Sequence, residues 1–234
     1  MKRSVRLNGR DVPYTLERKG VKNLNLRVRA GEVYVSASRW VPVGVIESFL
    51  QSRAEFILDA IERSGAKRVV RFAEGERFFY RGRSYPLALS RGAKNEVCVL
   101  EDALLLSLRE PADEALARRV LQGWYRAESE RLCRLSCARL LPCFAPWGVP
   151  QEIEIRMRVM RSCWGNCRPS RRIVTFNAFL AAVPDESLDY VVAHELTHFL
   201  HADHSAAFYA ALAHVMPDWK PRRAALKDYQ AVPF

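Results

Sequence analysis

All five histidines of this 234-residue chain lie in its last 41 residues, and four of them fall within eleven positions, in the run VVAHELTHFLHADHS. His194 and His198 are four apart, about 400° of helical turn, so a helix here sends both imidazoles out of one face, one turn apart. Two nitrogens so placed can clamp one metal ion at ~2.0–2.1 Å, the length of a zinc–imidazole bond. Glu195 points about 100° away, suited to a water beside the metal rather than to the metal itself. Val191, Val192, Leu196, Phe199 and Leu200 supply the apolar side that such a helix must bury. The fold therefore has to cover one side of this helix and bring a third ligand to the other.

A catalytic zinc site takes three protein ligands and keeps one position for water. A downstream Glu is excluded as the third, because no Glu follows Glu195; Asp203, Asp218 and Asp228 are the acids that remain. His204 stands six residues after His198 and completes the metzincin-type interval HExxHxxxxxH. His201 would share the face of His194 if the helix continued, but it would lie ~10 Å along the axis, too far for one ion. The expected ligands of one Zn2+ per chain are His194, His198 and His204, with a turn near His201 and Ala202; His201 and Asp203 are the alternatives. Glu195 is the expected catalytic general base, taking a proton from a zinc-activated water and returning it to the leaving group. Tyr190, Tyr209 and the arginines between 156 and 172 are candidates to stabilise an oxyanion. His214 is expected to be structural.

The rest of the chain reads as α+β. Leu24, Leu26 and Val28 alternate with polar neighbours, Gly31 interrupts, and Val33, Val35 and Ala37 resume the alternation, which predicts a hairpin. Apolar residues at helical spacing predict one helix over 45–64. Strands are expected over 69–72, 77–80, 84–90, 96–100 and 104–108, a long helix from Pro111 to about Leu141, and strands over 152–158 and 172–176. Helices over 184–198 and 205–215 complete the order. This gives an antiparallel, β-rich N-terminal region with one helix over 1–110, then a helical and α+β metal-dependent hydrolase domain over 111–234. The residues after Pro217 are expected to pack on the last helix through Trp219 and Leu226, or else to cover the cleft.

The formal charge is +11, and residues 1–100 hold 20 basic against 10 acidic residues. That field leaves a nucleotide or nucleic-acid partner open, though a solvated basic surface explains it equally. The longest apolar stretch, 178–183, is far below the ~20 residues that span a bilayer. The N-terminus lacks the apolar segment of a signal peptide, so a cytoplasmic protein is expected, with its six cysteines as free thiols and no membrane partner.

The segment from Arg158 through Val159, Met160, Arg161, Ser162, Cys163, Trp164, Gly165 and Asn166 to Cys167, then Phe176 and Asn177, then 189–198, His204 and Ser205, Phe208 and Tyr209, and 217–219 resemble the YgjP-like metallopeptidases. These belong to the zincin group with the SprT and WLM proteins. The N-terminal hairpin, the helix after Pro42 and the strands around residues 80–82 and 85–87 also fit, so the resemblance covers nearly the whole chain. It implies a zincin-like unit, zinc on His194, His198 and His204, Glu195 as base, and a peptide or protein substrate. Cys163 and Asn166 depart from the Arg and Ser of the family pattern, and Cys163 with Cys167 is a candidate redox pair or extra ligand. A nucleotide phosphohydrolase is the alternative reading of the same metal chemistry. A nucleic-acid-binding or adaptor module with a structural zinc is the third. The sequence does not speak to the oligomeric state.

Overall fold

The structure, a computed structural model, describes residues 2–21, 23–29, 31–65 and 70–229. The chain forms two compact units, Met1–Val69 and Val70–Phe234. In the second unit, the strands over 77–108 share a core with the long helix that follows them.

In the first unit, β1 (Lys2–Leu7) and β2 (Arg10–Arg18) form an antiparallel hairpin. Its two-residue turn is Asn8-Gly9, both at positive φ (44° and 85°), the conformation that matches strand twist. The expected hairpin is β3 (Asn25–Arg29) with β4 (Glu32–Ala37), where Leu26 faces Val35 and Val28 faces Val33. The sheet order is β1-β2-β4-β3, and β2 runs parallel to β4, so the sheet is mixed rather than antiparallel throughout. The single helix expected over 45–64 is two, α1 (Val43–Gln51) and α2 (Ala54–Gly65). Ser52 lies between them, where its hydroxyl donates to the Phe49 carbonyl (2.8 Å) and competes with the helical ladder. Ile46, Leu50 and Ile57 pack from these helices onto Val12, Tyr14, Val33 and Val35.

The second unit is built around α3 (Glu114–Phe144), whose N-cap Asp113 accepts a hydrogen bond from the Leu116 amide. It runs past the expected end at Leu141, carrying Pro142 in its last turn. Its buried stripe faces two cores. Ala117, Leu121 and Tyr125 pack on a sheet of β5 (Arg77–Tyr80), β6 (Arg83–Arg91), β7 (Glu96–Val99) and β8 (Leu104–Leu108), ordered β5-β6-β8-β7. Cys133, Cys137, Leu141 and Phe144 pack on the C-terminal elements. No strand forms over 70–72, and Val69 lies outside the described residues. Val70 and Phe72 are buried there, but the Phe72 amide bonds to the Glu114 carboxylate (3.2 Å) instead of a ladder.

The C-terminal sheet, ordered β10-β11-β9, comprises β9 (Glu154–Arg158), β10 (Gly165–Arg168) and β11 (Ile173–Asn177). Three helices follow: α4 (Asp185–Thr197), α5 (Ala206–Val215) and α6 (Trp219–Ala225). The start of α4 is pinned by the β5–β6 turn. Arg81 forms a bidentate ion pair with Asp185, and the amides of Arg81 and Gly82 bond to the carbonyls of Ala181 (2.7 Å) and Ala182 (3.0 Å). Gly82 has φ +80°, and a Cβ there would stand 2.8 Å from Pro184 Cγ. Gly82→Ala is therefore expected to cost about 1–3 kcal/mol of stability through strain and crowding, read as a lowered melting temperature. Among the described residues, no helix is long and apolar enough to cross a membrane.

Candidate metal centre

The helix α4 is buried on nearly every side, with Leu188, Val191, Val192, Ala193 and Leu196 in the core. Asp189 anchors it to α3: its carboxylate accepts from the Ser136 hydroxyl (2.7 Å) and pairs with Arg139. His194 and His198 leave its last turns from one face, as their spacing requires. The chain then turns and returns His204 just before α5, whose N-cap Ser205 accepts from the Phe208 amide (3.4 Å). The turn is made without a positive φ at His201.

One ring nitrogen from each of His194, His198 and His204 lies within 4.8 Å of the others. His194 Nε2 and His204 Nε2 are 3.0 Å apart. Two ring nitrogens so close cannot both carry protons, so at least one of them presents a lone pair inside the cluster. The remaining donors are committed elsewhere. His198 Nδ1 lies 3.0 Å from the His201 carbonyl, to which it donates, which leaves Nε2 free as an acceptor. His194 Nδ1 lies 3.4 Å from the Tyr190 hydroxyl. His201 thus contributes a carbonyl rather than a ligand, and neither Asp203, Cys163 nor Cys167 belongs to the cluster. His214 packs edge-on against Trp147 at 5.1 Å, away from the site.

Burial lowers the pKa of His194 to about 3, reinforced by His198, His204 and the positive charge of Arg223. Burial likewise lowers that of His198. Both rings are accordingly neutral near pH 7 and can act as ligands. Glu195 beside them is 5% exposed, and burial raises its pKa to about 8. Its Oε2 has no hydrogen-bond partner among the described residues, so a buried acceptor is aimed at whatever occupies the cleft. Three converging imidazoles with an orphaned carboxylate oxygen alongside fit a divalent transition ion such as zinc.

Several features of the site have no local signature in the sequence. The Phe208 ring, fully buried, lies 4.8–4.9 Å from each of the three imidazoles and forms their common floor. Gly165 in β10 lets that strand press against Glu195, since a Cβ there would stand 2.4 Å from Oε1. Asn177 holds the approach to β10, donating to the carbonyls of Met160 (2.7 Å) and Cys163 (3.0 Å). Gly165→Ala is expected to displace the Glu195 carboxylate and cut hydrolysis by roughly 100-fold, the cost of a misplaced catalytic group, with metal content unchanged. Steady-state rates beside metal analysis would check it.

The cleft over the triad has a volume of ≈ 910 Å³. Over its described residues, the segment after Pro217 borders the cleft from one side. Through α6 and the turn Leu226–Tyr229 it forms one wall, with Trp219 stacked on Tyr209 (4.8 Å, 18°) and Leu226 buried. Residues 230–234 lie outside the described residues. Of the oxyanion candidates, Tyr190 lines the cleft, whereas Tyr209 and the arginines between 156 and 172 do not; among the described residues Arg223 does.

A helix-borne pair of histidines, a third histidine from the following loop and a buried glutamate form a cluster that could hold a metal ion beside an acid–base group, as a metal-dependent hydrolase requires. The chain belongs to the YgjP-like family, whose metallopeptidase-domain model matches residues 22–229. No curated protein matches it. Among solved structures, it is similar to the metallopeptidase zymogen abylysin of Pyrococcus abyssi, at 17% identity and a TM-score of 0.35, over 43% of this chain and 93% of that one.

Proposed function

We propose that this protein is a zinc-dependent peptidase in which His194, His198 and His204 hold one zinc ion per chain and Glu195 is the general base. The observation that carries the reading is the convergence of three imidazole nitrogens within 4.8 Å beside a buried carboxylate with an unpartnered oxygen. When bound, zinc supplies Lewis acidity, which polarises a carbonyl and makes water nucleophilic near neutral pH. Glu195, held against Gly165, accepts the proton of the attacking water and passes it to the leaving amine. Tyr190, whose hydroxyl lies 3.4 Å from His194 Nδ1, fixes the orientation of that ring so that Nε2 faces the cluster.

The position of β10 supports an extended peptide as substrate. The Asn177 amide donates to the Trp164 carbonyl (2.8 Å), so alternation turns the amides and carbonyls of Gly165 and Cys167 away from β11. Among the described residues, no strand pairs with that outer edge, which borders the cleft and can add a peptide strand.

Three cations on the α6 wall (Lys220, Arg223 and Lys227) favour a second reading, a nucleotide phosphohydrolase, since they would suit a polyphosphate. An adaptor with a structural zinc has no use for a buried base beside the triad. Mass spectrometry of zinc-loaded protein with unfolded polypeptide and nucleoside triphosphates together separates the three, with Glu195→Gln as control. New peptide termini absent from the control are expected. Phosphate release without new termini would favour the phosphohydrolase, and identical spectra the adaptor.

A further inference from the structure

The two walls of the cleft differ in charge. The wall formed by β10 and the residues just before it is uncharged, with Cys163, Trp164 and Asn166 facing the space. The opposite wall presents Lys220 and Arg223, which share a face of α6 at i and i+3, and Lys227 from the turn after it. None of these three is ion-paired among the described residues, whereas Arg222, directed elsewhere, is held by Asp218 (2.9 Å) and lies 3.9 Å from Asp189. Glu195 is the sole carboxylate among the described residues lining the cleft, and it is buried at its floor. The histidine triad adds no negative charge.

A row of exposed cations is ordinarily a solvated helix face. This row differs in lining a concave space, where low-dielectric walls focus the field on whatever enters. It is also partly preorganised. Arg223 Nη1 donates to the Tyr209 hydroxyl (3.4 Å), Tyr209 stacks on Trp219, and the Lys220 ammonium lies 5.8 Å from the centre of the Trp219 ring. Tyr209 in turn stacks on His204 at 6.3 Å, so the guanidinium is tied to the element that carries the third histidine. A group bound at the triad therefore has Arg223, Lys220 and Lys227 along one wall of the same cleft.

We infer that the α6 wall is an anion subsite and that the cleft selects acidic peptides: a substrate carboxylate docks on Lys220, Arg223 and Lys227 while the neighbouring peptide bond lies over the triad. This rests on the peptidase reading. The carboxylate can come from an Asp or Glu side chain or from a free C-terminus. Both offer the planar pair of oxygens that a guanidinium binds through two hydrogen bonds.

The test measures binding and cleavage separately, on the full chain loaded with zinc. Short labelled peptides are made in three matched forms: capped with an internal Glu, capped with Gln in its place, and the Gln peptide with a free C-terminal carboxylate. Fluorescence anisotropy on Glu195→Gln protein reads affinity, and mass spectrometry on wild type reads cleavage. The capped Glu peptide, the free-carboxylate peptide, or both should bind about 10-fold tighter than the capped Gln peptide, and which of them does identifies the source. The preference should weaken at high salt. It should disappear in the triple variant Lys220→Gln, Arg223→Gln, Lys227→Gln, whose exposed positions leave the fold intact as read by its melting temperature. Equal binding of all three peptides, or a preference that survives the triple variant, overturns the anion subsite even where cleavage is observed. A carboxylate preference in binding with no cleavage of any peptide supports the subsite and overturns the peptidase reading. Hydrolysis of a nucleoside triphosphate in a parallel arm, with peptides uncut, does the same.

Discussion

Glu195→Gln is expected to lower peptide hydrolysis by about 10²–10⁴-fold, the usual contribution of a positioned acid–base group, while zinc content and fold stay as they are. Glutamine keeps the shape that packs against Gly165 but cannot hold a proton for transfer. The same substitution has a second signature in metal-free protein. Burial raises the folded-state pKa of Glu195 from 4.5 to about 8, so between these values the folded state binds more protons than the unfolded one. Stability from this group falls as pH rises through that window. His194 acts in the opposite sense. Its folded-state pKa is depressed from 6.5 to about 3, so stability is lost as pH falls below 6.5. The two effects oppose one another between pH 4.5 and 6.5, and of the two only that of the glutamate continues above. Metal-free wild type is thus expected to lose about 1–2 kcal/mol between pH 6.5 and 8, at 1.36 kcal/mol per unit, and Glu195→Gln to lose almost none. Urea titrations of both proteins at the two pH values would test this. Parallel pH dependence in the two would refute the assignment.

His204→Ala should be the most damaging single change at the centre, and its contrast with His201→Ala is the sharper test. The imidazole of His204 lies within reach of both other ligands, whereas His201 offers only its backbone carbonyl to His198. Removing the His204 ring is expected to empty the site at micromolar zinc and bring hydrolysis to background. It should also abolish the stabilisation that metal gives the folded state, ~2.7 kcal/mol at a metal concentration 100 times Kd. His201→Ala keeps the carbonyl and is expected to retain one zinc per chain. Plasma mass spectrometry of dialysed protein, with melting curves in the presence and absence of zinc, gives both readouts. Full zinc in His204→Ala with loss in His201→Ala would reverse the ligand assignment.

What was legible in the sequence is what short-range periodicity controls. The alternation of Leu26 and Val28 with Val33 and Val35 foretold the β3–β4 pair, and helical spacing foretold α3 and α4 to within a few residues. The break between α1 and α2 escaped, because one serine hydroxyl turned on the Phe49 carbonyl leaves the apolar spacing unchanged. Strand order escaped as well. The parallel pairing of β2 with β4, and of β9 with β11, depends on which edges are free once all the strands exist.

The metal centre divides in the same way. By itself the sequence determined that His194 and His198 share a helix face with Glu195 turned aside, since 3.6 residues per turn leaves no other arrangement. The interval HExxHxxxxxH offered His204 as the third partner without excluding His201, Asp203 or another group. Only the tertiary structure brought His204 to the other two, by turning the chain after His198 and seating all three imidazoles on Phe208. It alone brought Gly165 against Glu195 across thirty residues of sequence and set Arg223 in the facing wall. These contacts join distant segments through packing and burial, and no local pattern of residues encodes a distance across the fold.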